Sequence, residues 1–292
     1  MTDPTFLVQL AVNGIVVGVI YALMAMGLSL IFGVLEIVNF AHGEFYMLGA
    51  MIAYFLVARL HVGYWPMIAG VTLAVAALGV VLYEALLASV RGRSFERSIL
   101  LTLGVSMVLQ NGAIALWTTT PRMVETEYAY TNVTAGGIRI PLLRVFALAL
   151  AAAAFAALFT VLHRTRIGKA MRGLAQNPDA ALMVGIDPRA VSRLAGAIGI
   201  GLAGLAGAAL APIYSVHPTM GFAFVFKAFA VIIVGGLGDV RGAAIAAVAL
   251  GVVESFVAGF FPLILVDAVA FVAMILFLLF RPAGLFGRGV RV

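Results

Sequence analysis

Long apolar stretches constrain the fold of this chain more than any other feature. Runs of about 20 apolar residues recur along all 292 residues; hydrophobic residues make up 64% of the chain and charged residues only 10%. In a soluble domain roughly a quarter of the residues are charged, which is far more than in this chain. A helix needs about 20 apolar residues to cross a hydrocarbon layer about 30 Å thick, and this chain supplies such stretches repeatedly. The sequence therefore predicts an all-α, polytopic transmembrane helix bundle.

The spacing of the apolar stretches predicts about 8–9 membrane spans. Polar residues interrupt two of these stretches, so we expect half-membrane helices near 36–45 and 235–242. No loop is long enough to hold a core of its own, which predicts a single transmembrane domain over 1–292. We place the apolar segments at 6–33, 37–58, 64–88, 98–118, 143–163, 193–213, 223–237, 242–260 and 263–281.

The basic residues indicate how the chain is oriented. Lys and Arg concentrate in cytoplasmic loops, so we expect 164–193 to be cytoplasmic and the mixed-charge loop 119–142 to be external. The first basic residue is Arg59, which favours a retained first span over a cleaved signal peptide. The N-terminus is then outside and the C-terminus inside, which requires an odd number of crossings. The other basic clusters are Arg91, Arg93 and Arg97, and Arg281, Arg288 and Arg291.

Four polar or ionisable residues fall within nine positions at Glu36, Asn39, His42 and Glu44. Polar groups at membrane depth usually line a cavity or pathway. Asn39 is a favourable N-cap for a helix running from Phe40, and a helix beginning inside the membrane points its positive end at the cavity, where a carboxylate could bind. The alternative is that the segment lies at the membrane interface. His42 and Glu44 are two residues apart on different helix faces, so no metal site is expected.

A second polar interruption is the glycine-rich run at 235–242, in which Asp239 could cap the helix that follows. It resembles the segment around Asn39 in pattern, which suggests an internal repeat, although shared composition also explains the likeness. The run lacks the Gly-Lys-Ser/Thr of a nucleotide-binding loop.

The loop 164–193 predicts two short amphipathic helices separated by Asn177-Pro178. Ile167, Met171 and Leu174 share one helical stripe, and Gly185 is placed to end the second helix. Ordinary helix connections run 2–8 residues, so the extra length indicates a protein-docking surface. The alternative is a helix pair lying on anionic lipid.

The remaining polar residues give weaker signals. Gln9 and Asn13 are four apart and share a face, and they either face the pathway or hydrogen-bond between helices. Glu84, Glu254 and Asp267 are scattered near the ends of predicted spans, which disfavours a stand-alone ion-coupled secondary transporter. An intramembrane enzyme also lacks support, because there is no cysteine, no His-Glu-x-x-His and no serine nucleophile motif. We therefore expect no catalytic residue and no cofactor.

Three motifs carry a family resemblance over nearly the whole chain. Residues 18–48 contain Tyr-Ala-Leu-Met-Ala-Met-Gly-Leu-Ser-Leu-Ile-Phe-Gly and Val-Asn-Phe-Ala-His-Gly-Glu. The loop contains Arg-Gly-Leu-Ala-Gln-Asn and Ala-Leu-Met-Val-Gly-Ile, and 235–242 reads Gly-Gly-Leu-Gly-Asp-Val-Arg-Gly. This combination resembles the H-type permease subunit of branched-chain amino acid ABC importers. The loop 119–142 shows no recognisable motif.

The resemblance implies a division of labour in the bacterial cytoplasmic membrane. An external substrate-binding protein, periplasmic or extracellular, captures the ligand. This chain pairs with a second, homologous permease, and both contact membrane lipid. Two ATPase subunits dock from the cytoplasm. Nucleic acid is not an expected partner. Similar permeases also move urea, short amides and aromatic acids, so the substrate stays open. The resemblance implies pathway positions at Asn39, His42 and Glu44, to which Gln9 and Asn13 are added as candidates, and ATPase contacts at Arg172, Gln176, Asn177, Asp179, Ala180 and Gly185.

Overall fold

The computed structural model describes residues 4–90, 94–135, 138–281 and 283–286, so the basic residues Arg91, Arg93, Arg288 and Arg291 lie outside the described part. Nine apolar helices form the bundle within it, seven of them long enough to cross a membrane and two shorter, α10 and α12. This confirms the all-α polytopic prediction. The nine are α1 Pro4–Leu35, α2 His42–Leu60, α3 Tyr64–Leu82, α5 Phe95–Trp117, α6 Leu142–Arg164, α9 Pro188–Leu210, α10 Met220–Gly235, α11 Val240–Phe260 and α12 Ile264–Phe280.

The shorter elements lie between these helices. After α3 the chain continues through a π-helical turn, Tyr83–Leu87, and a short helical turn, α4 Ala88–Val90. Between α5 and α6, β1 Asn132–Ala135 pairs antiparallel with β2 Ile138–Pro141. Two surface helices, α7 Arg166–Gln176 and α8 Pro178–Met183, connect α6 to α9.

The two ends of the bundle carry different elements. At the end that holds α7 and α8, Arg193 at the start of α9 pairs with Glu84 after α3 at 3.0 Å. Residues 283–286 lie at the same end, where the Leu285 amide donates to the Val234 carbonyl at 2.8 Å. At the opposite end, Phe6 of α1 packs on Phe260 of α11. The start of α1 and residues 283–286 therefore lie at opposite ends, as an odd number of crossings requires.

Helix α9 is the central element, because its small residues let neighbouring backbones approach closely. Gly199 packs against Gly27 of α1, Gly207 against the backbone of Tyr46 on α2, and Gly204 against Val75 on α3. The glycines of α9 therefore bring α1, α2 and α3 into close contact with this helix.

Two helices begin inside the bundle. After α1 the chain turns back, and α2 starts at His42, whose imidazole lies 3.1 Å from the Met24 carbonyl, well before the end of α1. After α9 the chain turns back again, and α10 starts at Met220. The backbones of Gly43 and Gly221 contact each other, so the two helix starts meet at one point.

The contacts relate the two halves of the chain by an inverted repeat. Helix α11 packs antiparallel along α1 at Gly14 and Gly18, and α3 packs antiparallel along α9 at Gly201 and Gly204. The set α1–α2–α3 therefore corresponds to α9–α10–α11, an arrangement common in transporters.

The second half-helix lies elsewhere than the sequence indicated. Residues 236–239 form a turn at the α7–α8 end, where Arg241 lies 3.1 Å from His163 near the end of α6. The full-length helix α11 follows this turn. The half-helix that matches α2 is α10, which begins at Met220 rather than near 235–242, because the chain re-enters the bundle after α9.

Candidate functional site

The junction cluster consists of Asn39, His42 and Glu44 at the start of α2, with Ser106 of α5. The first three are at most 1% exposed. Glu36 differs: it is exposed at the α7–α8 end, where its φ of 56° turns the chain out of α1. Three of the four polar residues that the sequence singled out are therefore brought together inside the bundle.

Several polar atoms of the junction cluster have no partner. Ser106 Oγ donates to Glu44 Oε1 at 3.0 Å, and His42 Nε2 donates to the Met24 carbonyl at 3.1 Å. The second Glu44 oxygen, His42 Nδ1 and the Asn39 amide have no hydrogen-bond partner in the described structure. Because buried polar atoms are nearly always hydrogen-bonded, this cluster has the capacity to bind a small polar ligand or water.

The predicted role of Asn39 as an N-cap is wrong. Helix α2 begins at His42, its N-cap is Ala41, and no side chain caps it. The reason is a turn before the helix, in which the His42 amide donates to the backbone carbonyl of Asn39 at 3.2 Å. The predicted cap at Asp239 is confirmed, since its Oδ1 accepts from the Gly242 amide at 2.8 Å.

The lysine cluster consists of Tyr21, Lys227, Glu254 and Asp267, from α1, α10, α11 and α12. Lys227 Nζ lies 3.2 Å from Glu254 Oε1, 3.1 Å from Asp267 Oδ1 and 3.1 Å from the Tyr21 hydroxyl. Tyr21 donates to Glu254 Oε2 at 2.7 Å. The expectation that the acidic residues are scattered is wrong for Glu254 and Asp267, because both pair with one lysine. A lone lysine in the apolar run of α10 was the signal that sequence reasoning missed.

An aromatic residue joins the two clusters. The ring centroid of Phe224 on α10 lies 4.5 Å from that of Tyr46, two residues after Glu44, and 6.4 Å from that of Tyr21 in the lysine cluster. Tyr214, in the segment before α10, packs on the same ring at 6.5 Å. The junction cluster and the lysine cluster therefore form one line of polar and aromatic groups through the bundle.

Gln9 and Asn13 lie apart from this line. Gln9 Nε2 donates to Asn13 Oδ1 at 3.2 Å, so the two share a face, as expected. Arg144 of α6 donates to the same oxygen at 3.3 Å. Along α1, Asn13 is about 16 Å by helical rise from Met24, which His42 contacts. The structure therefore does not bring this pair to the junction cluster.

The α7–α8 surface is formed by two capped helices. Thr165 accepts from the Gly168 amide at 3.0 Å and Asn177 from the Ala180 amide at 3.0 Å. Gly185 follows α8 with φ +81°, the left-handed geometry that ends helices. Helix α7 buries Gly168, Met171 and Leu174. Of the three residues on the predicted stripe, Met171 and Leu174 are buried, whereas Ile167 is 47% exposed; Gly168 is buried instead and contacts the end of α6.

Most of the predicted ATPase contacts are exposed on this surface. Arg172 is partly buried, and its Nη1 has no partner among the described residues. A groove of about 470 Å³ runs beside it. Next to the polar positions, three consecutive apolar residues, Leu182, Met183 and Val184, are 55%, 88% and 75% exposed. The exposed predicted contacts are Gln176, Asn177, Asp179, Ala180 and Gly185.

In the described ranges, no group of three or more His, Cys, Asp or Glu side chains is arranged to hold a metal ion.

Buried half-helices that meet at unpartnered polar groups within an apolar bundle define a multi-pass membrane transport protein. The chain belongs to the family of branched-chain amino acid transport system permease components, whose model matches residues 10–278.

Relatives of the chain extend over nearly its whole length. It is 30% identical to the high-affinity branched-chain amino acid transport system permease protein BraD of Pseudomonas aeruginosa, over 96% of this chain and 95% of that protein. It is 28% identical to LivH of Salmonella typhimurium, a permease protein of the same description, over 97% and 96%. A probable branched-chain amino acid transport permease protein, LivH of Methanocaldococcus jannaschii, is 25% identical over 91% and 88%. No solved structure matches.

Proposed function

We propose that this chain is a permease subunit of an ATP-binding-cassette importer and forms part of a pathway for branched-chain or other hydrophobic amino acids. The observation that carries the proposal is the α7–α8 surface. Two capped helices there present exposed polar residues beside the exposed apolar run Leu182–Val184. A contiguous apolar patch with a polar rim is typical of a protein-docking site.

The partner that fits this surface is an ATPase subunit, with a second ATPase on a second, homologous permease. Residues 164–193 are then the cytoplasmic coupling loop of a single permease domain. Three positions tie this loop to the bundle: Gly168 packs on the end of α6, Asp187 caps the start of α9, and Arg193 pairs with Glu84. A displacement of α7 and α8 is therefore passed to α9, the helix that contacts α1, α2 and α3.

Alternating access requires that the ATPase bind two arrangements of the bundle with different affinities. A partner that binds both arrangements equally well does not shift the equilibrium between them. A displacement of α9 also displaces the start of α2, where α2 meets α10, because Gly207 of α9 packs against Tyr46 of α2. The unpartnered groups of Asn39, His42 and Glu44 are then pathway groups that a passing substrate contacts.

The charge distribution supports one orientation. Arginine and lysine residues crowd the α7–α8 end, which favours a cytoplasmic position for that end in the bacterial inner membrane that we assign to the chain. The N-terminus and the loop 119–142 are then external, where a substrate-binding protein delivers ligand. Urea, short amides and aromatic acids are the alternative substrates, and competition against labelled L-leucine uptake distinguishes them.

The test is charge reversal on the docking surface. We expect Arg172→Glu and Asp179→Lys each to lower L-leucine uptake at least 10-fold in cells that make the native importer components, with the variants still present in the membrane. ATP hydrolysis by the purified complex should persist but no longer respond to substrate. The control is Arg97→Glu, an exposed charge reversal at the start of α5 and outside α7 and α8. Uptake that is unchanged in the two surface variants would refute the docking role.

A stand-alone ion-coupled transporter is the second candidate, and the intramembrane carboxylates of the lysine cluster favour it. Purification in mild detergent separates the two candidates. ATPase subunits that remain bound to the chain support the importer. A chain that purifies without ATPase subunits and transports leucine when reconstituted alone supports the secondary transporter.

A further inference from the structure

We propose that the lysine cluster is a binding site for the backbone ammonium and carboxylate groups of a zwitterionic amino acid on its way through the bundle. This inference rests on the proposed function and adds to it a site and a basis for substrate selection. The charges of Lys227, Glu254 and Asp267, their unequal exposure and the aromatic residues around them support this site.

The charges of the cluster do not balance. One ammonium group, on Lys227, serves two carboxylates, on Glu254 and Asp267. Glu254 is 3% exposed, and both of its carboxylate oxygens face Lys227 Nζ, Oε1 at 3.2 Å and Oε2 at 3.3 Å, while Tyr21 also donates to Oε2. Two carboxylates around one ammonium group leave one negative charge in excess. The cluster therefore has the capacity to pair with a second ammonium group.

The two ion pairs of Lys227 differ in exposure. The Glu254 side chain is buried and also accepts from Tyr21, whereas the Asp267 side chain is 77% exposed. Exposed ion pairs contribute little stability, while breaking a buried pair leaves an uncompensated charge. The Lys227–Asp267 pair is therefore the one that opens.

A zwitterion is the ligand that opens this pair without changing the net charge. Its carboxylate takes the place of Asp267 at Lys227, and its ammonium group pairs with the released Asp267, while Lys227 keeps its pair with Glu254. One ion pair is exchanged for two. A ligand without the ammonium group leaves Asp267 unpaired, and a ligand without the carboxylate cannot displace Asp267 from Lys227.

Aromatic rings next to the cluster provide a place for an apolar side chain. Phe226, the neighbour of Lys227 in sequence, lies 6.3 Å from Phe271, which shares a face of α12 with Asp267 four residues earlier. Phe222 packs on Phe226 at 4.6 Å. Phe222 and Phe271 are 54% and 39% exposed, so the rings are accessible. These residues favour a neutral amino acid with an aliphatic or aromatic side chain.

The position of the cluster gives it a place on the pathway. Glu254 is near the end of α11 and Asp267 near the start of α12, on the side of the bundle opposite α7 and α8. Phe224 links Tyr21 of the lysine cluster to Tyr46 beside the junction cluster. A ligand that enters from the end opposite α7 and α8 reaches the lysine cluster before the junction cluster.

The experiment measures L-leucine uptake by cells that carry the native importer with single substitutions in this chain. We expect Lys227→Met to abolish measurable uptake and Asp267→Asn to raise the KM at least 10-fold with a smaller effect on the maximal rate. The matched control is Ser255→Ala, next to Glu254, whose hydroxyl bonds the Leu10 carbonyl instead of the cluster.

A charge-free variant separates a ligand site from a structural ion pair. Lys227→Met combined with Glu254→Gln and Asp267→Asn leaves no unpaired charge, so a purely structural cluster predicts that both membrane insertion and uptake recover. We expect insertion and thermal stability to recover while uptake stays lost. Normal uptake in this triple variant would overturn the inference and leave the proposed function intact. Absence of leucine uptake in the wild-type importer would instead overturn the proposed function.

Discussion

Gly43 and Gly221 hold the starts of α2 and α10 in backbone contact. A Cβ atom on Gly43 would lie 2.8 Å from the carbonyl carbon of Gly221 and 2.9 Å from Val225 Cβ, closer than side chains pack. Only glycine fits at this point, and the same holds at Gly221. The geometry of the junction cluster therefore depends on two residues that carry no functional group themselves.

We predict that Gly43→Ala lowers the thermal stability of the purified chain by an amount equivalent to about 1–3 kcal/mol, the usual cost of overpacking. Uptake should fall as well, because the substitution separates the two helix starts. Gly112→Ala is the matched control, since a Cβ there meets no atom within 4 Å. Equal melting temperatures for the two variants in detergent would contradict the contact.

Residue types predicted some local roles and missed others. The cap at Asp239 was predictable because a short polar side chain just before a helix can accept a hydrogen bond from a backbone amide two or three residues further on. Asn39 has the same chemistry, yet a preceding turn moves the helix start beyond its reach. The lysine cluster was not predicted, because the partners of Lys227 are Glu254 and Asp267 on two other helices. No local sequence pattern indicates that these three positions are close together.

At the level of elements, the corner between α6 and α7 depends on Gly168. A Cβ there would meet the Leu162 Cα at 2.5 Å, so α7 folds back on α6 only with glycine at this position. The Thr165 cap just before it fixes the first turn of α7. The first turn of α7 is therefore fixed against the end of α6.

We expect Gly168→Val to release this corner without unfolding the rest of the bundle. Arg164, Arg166 and Lys169 then become readily accessible to trypsin, and limited proteolysis should cleave the variant at least 10-fold faster there than the wild type. Gly173→Ala serves as the control, because its Cβ would meet only Ile186 Cδ1 at an ordinary 3.7 Å. Resistance of the Gly168 variant to trypsin would count against a fixed corner.

The helices themselves were largely predictable. Each apolar run yields one of the nine apolar helices, because apolar length alone determines what can cross a membrane. On α7, the sequence pattern correctly indicated that Met171 and Leu174 lie on the packed face, but Ile167 is exposed and Gly168 makes the contact with α6 instead. The apolar run 223–237 predicted α10, but nothing in that run indicated that this helix begins inside the bundle, against the start of α2 at Gly43.

For the whole molecule, the proposed topology of nine crossings predicts that the loop 119–142 and the α7–α8 surface lie on opposite sides of the membrane. The chain contains no cysteine, so single cysteines can be introduced without background. Tyr130 and Met183 are 87% and 88% exposed and make suitable positions. We predict that a membrane-impermeant maleimide labels Tyr130→Cys in intact spheroplasts and labels Met183→Cys only after permeabilisation. The reverse pattern would invert the orientation.

The central claim is that the chain is a permease subunit of an ATP-driven importer, and the most direct test is whether uptake depends on ATP or on the proton gradient. Uptake of labelled L-leucine is compared between cells that contain the chain with its native partners and cells that lack the chain alone, with arsenate to deplete ATP or a protonophore to collapse the proton gradient. We predict that chain-dependent uptake is lost with arsenate and persists with the protonophore while ATP is maintained. Chain-dependent uptake that survives arsenate and disappears with the protonophore would contradict the account.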